Sequence, residues 1–332
     1  MKKKGVGFAS AWQGVNLHFG HDDISTVRIE LREDGKFYVG VAAADLGQGV
    51  SETIRCIVSE ELGALPIDDV ILLDPDTFIT PDGGATGASR QTYMSGNAAK
   101  NAAIKMKQYL LLIASELLDT PQSELKFENK HFYGRNERTI TLKQVADEAT
   151  SLGQTLFVDG SFLAPKTEPL DENGQGFGVN QFSYATYIAE VEVDTDTGQV
   201  KVLRIDTYID GGKIIRKMGA EMQVEGGVAM AIGHTLTEKF IQKNGIPLTD
   251  SLSTYLIPTL YDVPSVISST FVDPVHLNEE VVSKGIAELV LVPVAPAIIN
   301  AIFDAVGVHI NELPATPEKV LLALNNIEKN GN

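Results

Sequence analysis

The sequence predicts an α+β fold. Strand-like alternation and helical periodicity are both strong along the chain. They are mixed without strict strand–helix–strand alternation, which disfavours a doubly wound sheet. No period of 20–50 residues recurs, which disfavours a solenoid. With 332 residues and 43% hydrophobic content, the chain can build a real core and has room for two units, expected as 1–155 and 156–332.

Residues 4–44 read as β-structure. "STVRIEL" and "KFYVGVAAA" flank "REDG", an Asp-Gly hairpin signal. "DLGQGVSETIRCIVSEELG" turns helical, with Ile54, Ile57, Val58, Glu61 and Leu62 at helical spacing and Gly63 as the stop. "DDVILLDPDT" is a strand and "PDGGATGAS" a glycine-rich loop. From Ser89 a helix is expected to about Leu118, with Met94, Ala98, Ala102, Met106 and Leu110 on one face. "LKFENKHFYG" reads as a hairpin and "TLKQVADEATSLG" as a helix capped by Thr141. Residues 165–180 read as a loop. "SYATYIAEVEVDTDTGQVKVLRIDTYIDGG" is strand–turn–strand, its turn being "DTDTG". A helix follows from about Arg216 to Ile232, then a strand near "TLYDVPSVISSTFV". The last helix starts at "TPEKVLLAL", with Thr316 as cap and Pro317 in the first position.

Formal net charge is −17, which disfavours a general nucleic-acid role because no broad basic surface can neutralise a phosphate backbone. A lone cysteine, Cys56, excludes a disulfide framework within the chain and any cysteine-rich metal or iron–sulfur motif. No signal-peptide pattern precedes the first strand-like segment. The longest apolar run, Leu289 to Phe303, carries two prolines and ends at Asp304. It reads as a buried helix rather than a membrane span. The expected location is cytoplasmic.

Two glycine-bearing turns lead into helices: Gly47-Gln48-Gly49, and Gly83-Gly84 through Gly87-Ala88-Ser89-Arg90-Gln91. A helix N-terminus offers unpaired N–H groups to an anion. Arg90 adds a charge-assisted donor, and Ser89 and Gln91 add neutral ones. The same turns also read as plain connectors, with Ser89 as an N-cap. A third place is "EMQVEGG", residues 221–227, inside a helix. Gly226 and Gly227 there weaken the helix by roughly 1 kcal/mol each relative to Ala, which suggests close packing. Finally, "SKGIAEL" sets Glu288 at the mouth of the apolar run. It reads either as a residue serving a helix dipole or as a base.

"DLGQGVSETIRCIVSEELGALPIDDVILLDPDT", "GGATGASRQTYMSGNA", "YIAEVEVDTDTGQVKVLRI", "QVEGG" and "SKGIAEL" occur in this order. Together they resemble the second molybdenum-cofactor-binding region of the molybdenum hydroxylases, a family that includes xanthine dehydrogenase, aldehyde oxidoreductase, carbon monoxide dehydrogenase and nicotinate dehydrogenase. The resemblance covers nearly the whole chain. It implies two mixed α/β subdomains, the second carrying the catalytic glutamate. It is similar to a separate medium molybdopterin subunit of the nicotinate dehydrogenase kind. The cofactor implied is molybdopterin with molybdenum, in its cytosine dinucleotide form. The metal is held by the pterin dithiolene, so no protein side chain ligates it. A large molybdopterin subunit, an iron–sulfur subunit with [2Fe–2S] clusters and an FAD subunit are implied as partners.

The resemblance assigns residues one by one. Gln48, between Gly47 and Gly49, matches the glutamine of the cofactor-binding turn. Ala88, after Gly87, matches the residue whose backbone sits beside the metal. Ser89, Arg90 and Gln91 match the stretch that binds the pterin phosphate or its nucleotide extension. Gln223 matches a glutamine near pterin and metal, and Glu288 the catalytic glutamate, with Gly285 in the preceding turn. Glu288 would take a proton from a metal-bound hydroxide whose oxygen attacks an electron-poor carbon, while hydride passes to a sulfido or selenido ligand. Burial beside apolar residues raises a carboxyl pKa, which suits a base. Two departures stand out. Gln13 in "AWQGVN" replaces a tyrosine of related medium subunits, which makes it a candidate substrate residue or an ordinary strand end. "IDGGKIIRKMGAEMQVEGG" lacks the family's Asn-Pro. The expected activity is hydroxylation of an N-heterocycle, purine or nicotinate. The alternatives are an aldehyde or carbon monoxide dehydrogenase subunit and a non-catalytic cofactor-binding or assembly protein.

Overall fold

The computed structural model describes residues 1–16, 20–272 and 283–330, with side chains to residue 326. Strands in chain order are β1 Lys2–Gly14, β2 Ile24–Leu31, β3 Phe37–Gly40, β4 Val70–Leu72, β5 Lys126–Glu128, β6 His131–Tyr133, β7 Thr139–Thr141, β8 Phe157–Leu163, β9 Phe182–Asp194, β10 Val200–Asp210, β11 Gln242–Lys243, β12 Ile246–Pro247 and β13 Ile267–Phe271. The helices are α1 Val50–Glu61, α2 Gln91–Leu118, α3 Leu142–Ser151, α4 Lys217–Leu236, α5 Val294–Val306 and α6 Pro317–Asn330. This is the expected α+β class.

The chain forms two compact units, and neither is a continuous stretch. An inner unit comprises Gly14–Gln181 with Val282–Gly285; a terminal unit comprises Met1–Gln13, Phe182–Val281 and Ile286–Asn332. The division expected at residue 155 is therefore displaced. The reason is strand pairing. β8, beyond that cut, pairs antiparallel with β2, Val27 opposite Gly160, while β1 joins the sheet of β9 in the second half of the chain.

In the inner unit the sheet order is β4-β3-β2-β8. The "REDG" hairpin forms as read, with Leu31 opposite Phe37. Alternation on β2 buries Val27, Ile29 and Leu31. Helix α2 covers β2 and β8, and the five residues expected on its inner face are all fully buried. It begins at Gln91 rather than Ser89, because Ala88 and Ser89 both take left-handed φ values of 49° that a right-handed helix cannot include. Ser89 is therefore not its cap; the cap position is Arg90, without a side-chain bond. The Thr141 cap is realised as a reciprocal capping box with Gln144.

In the terminal unit the order is β1-β9-β10-β13. β10 and β13 run parallel, Ile205 opposite Ile267. A parallel pair needs a long crossover, and α4 lies on it. Helices α4, α5 and α6 contribute Val228, Ile298 and Val320 to one core with Val191 and Ile205 of the sheet. Strand β1 meets α5 at backbone distance. A Cβ on Gly7 would lie 2.2 Å from the Ala301 nitrogen and 2.4 Å from the Ala297 oxygen. Only glycine permits this approach.

The apolar run Leu289–Val306 has the length and composition of a membrane span, beyond what the sequence reading allowed. It divides instead into a 3-10 turn, Leu289–Leu291, and α5. Pro293, without an N–H, occupies the cap of α5, and Pro296 sits in its first turn, where no N–H is needed. Val294, Ala297, Ile298, Ala301 and Ile302 are buried, as in a core helix.

Candidate functional site

The first glycine turn is closed by its own residues. The Asp45 carboxylate accepts from the N–H groups of Gly47 at 3.0 Å, Gly49 at 3.2 Å and Ser51 at 3.0 Å. Burial pushes its carboxyl up, but the Ser51, Gly47 and Gly49 N–H groups outweigh that and hold it below the usual range. Gln48 folds the same turn: its amide donates to the Ala44 carbonyl at 2.9 Å and accepts from the Leu46 N–H. The open N-terminus expected at Gly47–Gly49 is thus occupied by a carboxylate. Sequence reasoning passed over Asp45, although an Asp two residues before a glycine turn is an Asx-turn signal.

Arg90 corrects a second expectation. Its side chain is fully buried against Asp23. Nε and Nη2 donate to Asp23 Oδ1 at 3.0 and 2.6 Å. Nη1 donates to the carbonyls of Gly83 at 2.6 Å and Ala85 at 2.9 Å, and Nη2 to that of Ile24 at 3.1 Å. The guanidinium is spent on shaping the glycine loop. Gln91 behaves alike: its amide donates to Thr86 Oγ1 at 3.0 Å and Ala85 O at 3.2 Å, and accepts from Ser95 Oγ. Neither side chain is offered to a phosphate.

Gly87 is exposed with open space where a Cβ would point. The consecutive left-handed residues Ala88 and Ser89 turn their peptide groups out of the helical direction. Gly285 lies against them: a Cβ there would fall 1.7 Å from the Ser89 oxygen. The structure thus brings together Gly285 and the 87–89 loop, which are nearly two hundred residues apart in the chain.

In the terminal unit, Gln223 is half-buried on α4, and no hydrogen bond from its amide is seen among the described residues. Gly227 packs against the 3-10 turn, where a Cβ would meet Val290 Cγ2 at 2.4 Å. Gly226 faces open space, so close packing accounts for one glycine of the pair. Glu288 is exposed, so this chain does not supply the burial expected for it. It also makes no capping bond to the turn that follows, and α5 begins six positions later. Gln13 Nε2, at the end of β1, donates to Glu288 Oε2.

These groups were matched to a phosphate-bearing pterin whose metal needs no protein ligand. Among the described residues, no cluster of three His, Cys, Asp or Glu side chains is placed to hold a metal ion. In the inner unit the 87–89 loop carries an exposed glycine and two left-handed residues; in the terminal unit the Gln223 amide is a neutral donor. The side chains of Gln48, Arg90 and Gln91 are hydrogen-bonded within the inner unit.

The molybdopterin cofactor-binding domain profile matches residues 1–264. The chain is 30% identical over 97% of its length to a probable xanthine dehydrogenase subunit of Bacillus subtilis, of which it covers 42%. It is 27% identical over 99% to the 6-hydroxypseudooxynicotine dehydrogenase complex subunit gamma of Paenarthrobacter nicotinovorans, covering 40%. Its structure is similar to the aldehyde oxidoreductase of Desulfovibrio gigas, with TM-score 0.81, 28% identity, and coverage of 98% of this chain and 33% of that one. The chain thus spans about two fifths of the curated relatives it matches. Five ordered motifs, the 87–89 loop held by Gly285, and these likenesses together establish that the chain belongs to the molybdopterin cofactor-binding domain family of the molybdenum hydroxylases.

Proposed function

We propose that the chain is the molybdopterin-binding catalytic subunit of a multi-subunit molybdenum hydroxylase. Its reaction is hydroxylation of an N-heterocycle, purine or nicotinate in kind, with water-derived oxygen. The observation that carries this reading is the setting of Glu288: it makes no side-chain capping bond to the 3-10 turn it precedes, it is exposed, and a neutral amide donates to it. Names of relatives carrying xanthine and hydroxypseudooxynicotine support the heterocycle class.

When bound, the molybdenum cofactor supplies the inserted oxygen and takes up two electrons from the substrate. The 87–89 stretch and Gln223 are the residues that, by the family resemblance, would hold the cofactor. Glu288 accepts one proton at a carboxylate oxygen. General-base assistance of this kind contributes typically about 10²–10⁴-fold. Apolar side chains left at the surface, Phe8 and Trp12 of β1 and Met218, Met222 and Met230 of α4, support the expectation of partner chains. Those chains are a large molybdopterin subunit and the carriers of [2Fe–2S] and FAD; the cytosine dinucleotide form of the cofactor and a cytoplasmic location belong to the same proposal.

The test is purification of the complex from its native host, followed by molybdenum and pterin analysis and assay on a heterocycle panel. Stoichiometric metal and pterin with heterocycle hydroxylation are expected. Metal and pterin without heterocycle turnover, but with aldehyde oxidation, would favour the second reading, which the likeness to aldehyde oxidoreductase supports. Absence of both would overturn the proposal.

A further inference from the structure

We infer that Gln13 is a positioning residue for Glu288, aiming the carboxylate by a donated hydrogen bond, rather than a substrate-facing side chain. The inference rests on Glu288 as the proposed base and deepens that reading.

The two residues are 275 positions apart in sequence, and the donor is Gln13 Nε2. An ionised carboxylate only accepts, so the amide nitrogen must face it. The amide oxygen is consequently turned away, where it is buried and has no hydrogen-bond partner among the described residues. Packing alone would not choose an orientation that strands a buried carbonyl oxygen. The contact with Glu288 chooses it. The reversed amide would set its oxygen against the carboxylate.

The platform is stiff. Gln13 ends a strand whose Gly7 lies against the backbone of α5, and Ser10 is hydrogen-bonded to Thr186 of β9 at 2.8 Å. Glu288 receives no orientation from a capping bond of its own turn. The donor is also neutral. A lysine or arginine in this place would hold the carboxylate ionised too firmly for a group that must accept a proton. An amide orients it without placing a second charge beside it. The half-buried Gln13 side chain is thereby engaged, which argues against the substrate role expected from its position.

The experiment uses the assembled complex. Gln13→Met keeps the side-chain length and removes the donor; Gln13→Glu keeps the size and replaces donor by acceptor. Each is read by steady-state kinetics and by isotope-edited infrared difference spectra, in which the Glu288 band is identified by its absence from Glu288→Gln. For Gln13→Met, kcat falls about 10–100-fold with KM nearly unchanged, and the Glu288 carboxylate band moves. Gln13→Glu gives the larger kcat loss. A raised KM at unchanged kcat, or an unmoved band in both variants, overturns the inference. Full turnover in Glu288→Gln sinks the proposed reaction instead, and the band position still decides the Gln13 contact.

Discussion

Removing one partner of the Arg90–Asp23 pair separates a structural from a ligand-binding role. Arg90 is fully buried and Asp23 is 2% exposed, their closest atoms 2.6 Å apart. Asp23→Ala leaves a guanidinium in the interior with its carbonyl partners but no counter-charge. Breaking such a buried pair costs about 3–5 kcal/mol. Arg90→Met leaves Asp23 as the buried charge and opens the carbonyls of Gly83, Ala85 and Ile24 that the guanidinium ties together. Its cost lies in the same range of about 3–5 kcal/mol. In a domain of this size each kcal/mol moves the thermal midpoint by ~2–4 °C, so a fall of roughly 6–20 °C is expected for the inner unit. Differential scanning calorimetry and urea unfolding of the purified chain measure it. If Arg90→Met unfolds like the parent while its complex loses pterin, Arg90 binds the cofactor and the reasoning is refuted.

The remaining predictions concern packing and pH. Gly7→Val places a side chain on the α5 backbone, with contacts near 2.2 Å, and should cost about 3 kcal/mol or more; urea unfolding reads it. Asp45→Ala removes the carboxylate that satisfies three N–H groups in and just before the first turn of α1, a loss of about 1 kcal/mol. Because the folded Asp45 carboxyl is held below its ordinary range, its contribution is full above the unfolded pKa. It is lost as pH falls through the folded value, so the gap between parent and variant closes only in acid. Tyr187 is fully buried on β9 with its hydroxyl unpartnered among the described residues, and burial pushes its phenol up. Tyr187→Phe should therefore be neutral or raise stability by about 1 kcal/mol in chemical denaturation.

What the sequence made legible was local. The Thr141 capping box and the Thr316–Pro317 start of α6 lie within a few residues of their partners. The inner face of α2 follows from a period of 3.6. What stayed hidden depends on distant partners. Nothing near "KKKGVG" announces that its second glycine meets an α5 backbone nearly three hundred residues away, nor that β1 belongs with β9. Arg90 looked like a phosphate donor because Asp23 lies 67 positions upstream. Asp45 was readable but overlooked. The candidate residues Glu288, Gln223 and 87–89 come from the sequence motifs; the Gln13–Glu288 and Gly285–Ser89 contacts needed the fold.

Glu288→Gln in the assembled, metal-loaded complex tests the central claim most directly. Molybdenum and pterin content are predicted to match the parent, because no capping bond is lost. Turnover of the heterocycle is predicted to fall by about 10²–10⁴-fold. Parental turnover in a fully loaded variant would contradict the account.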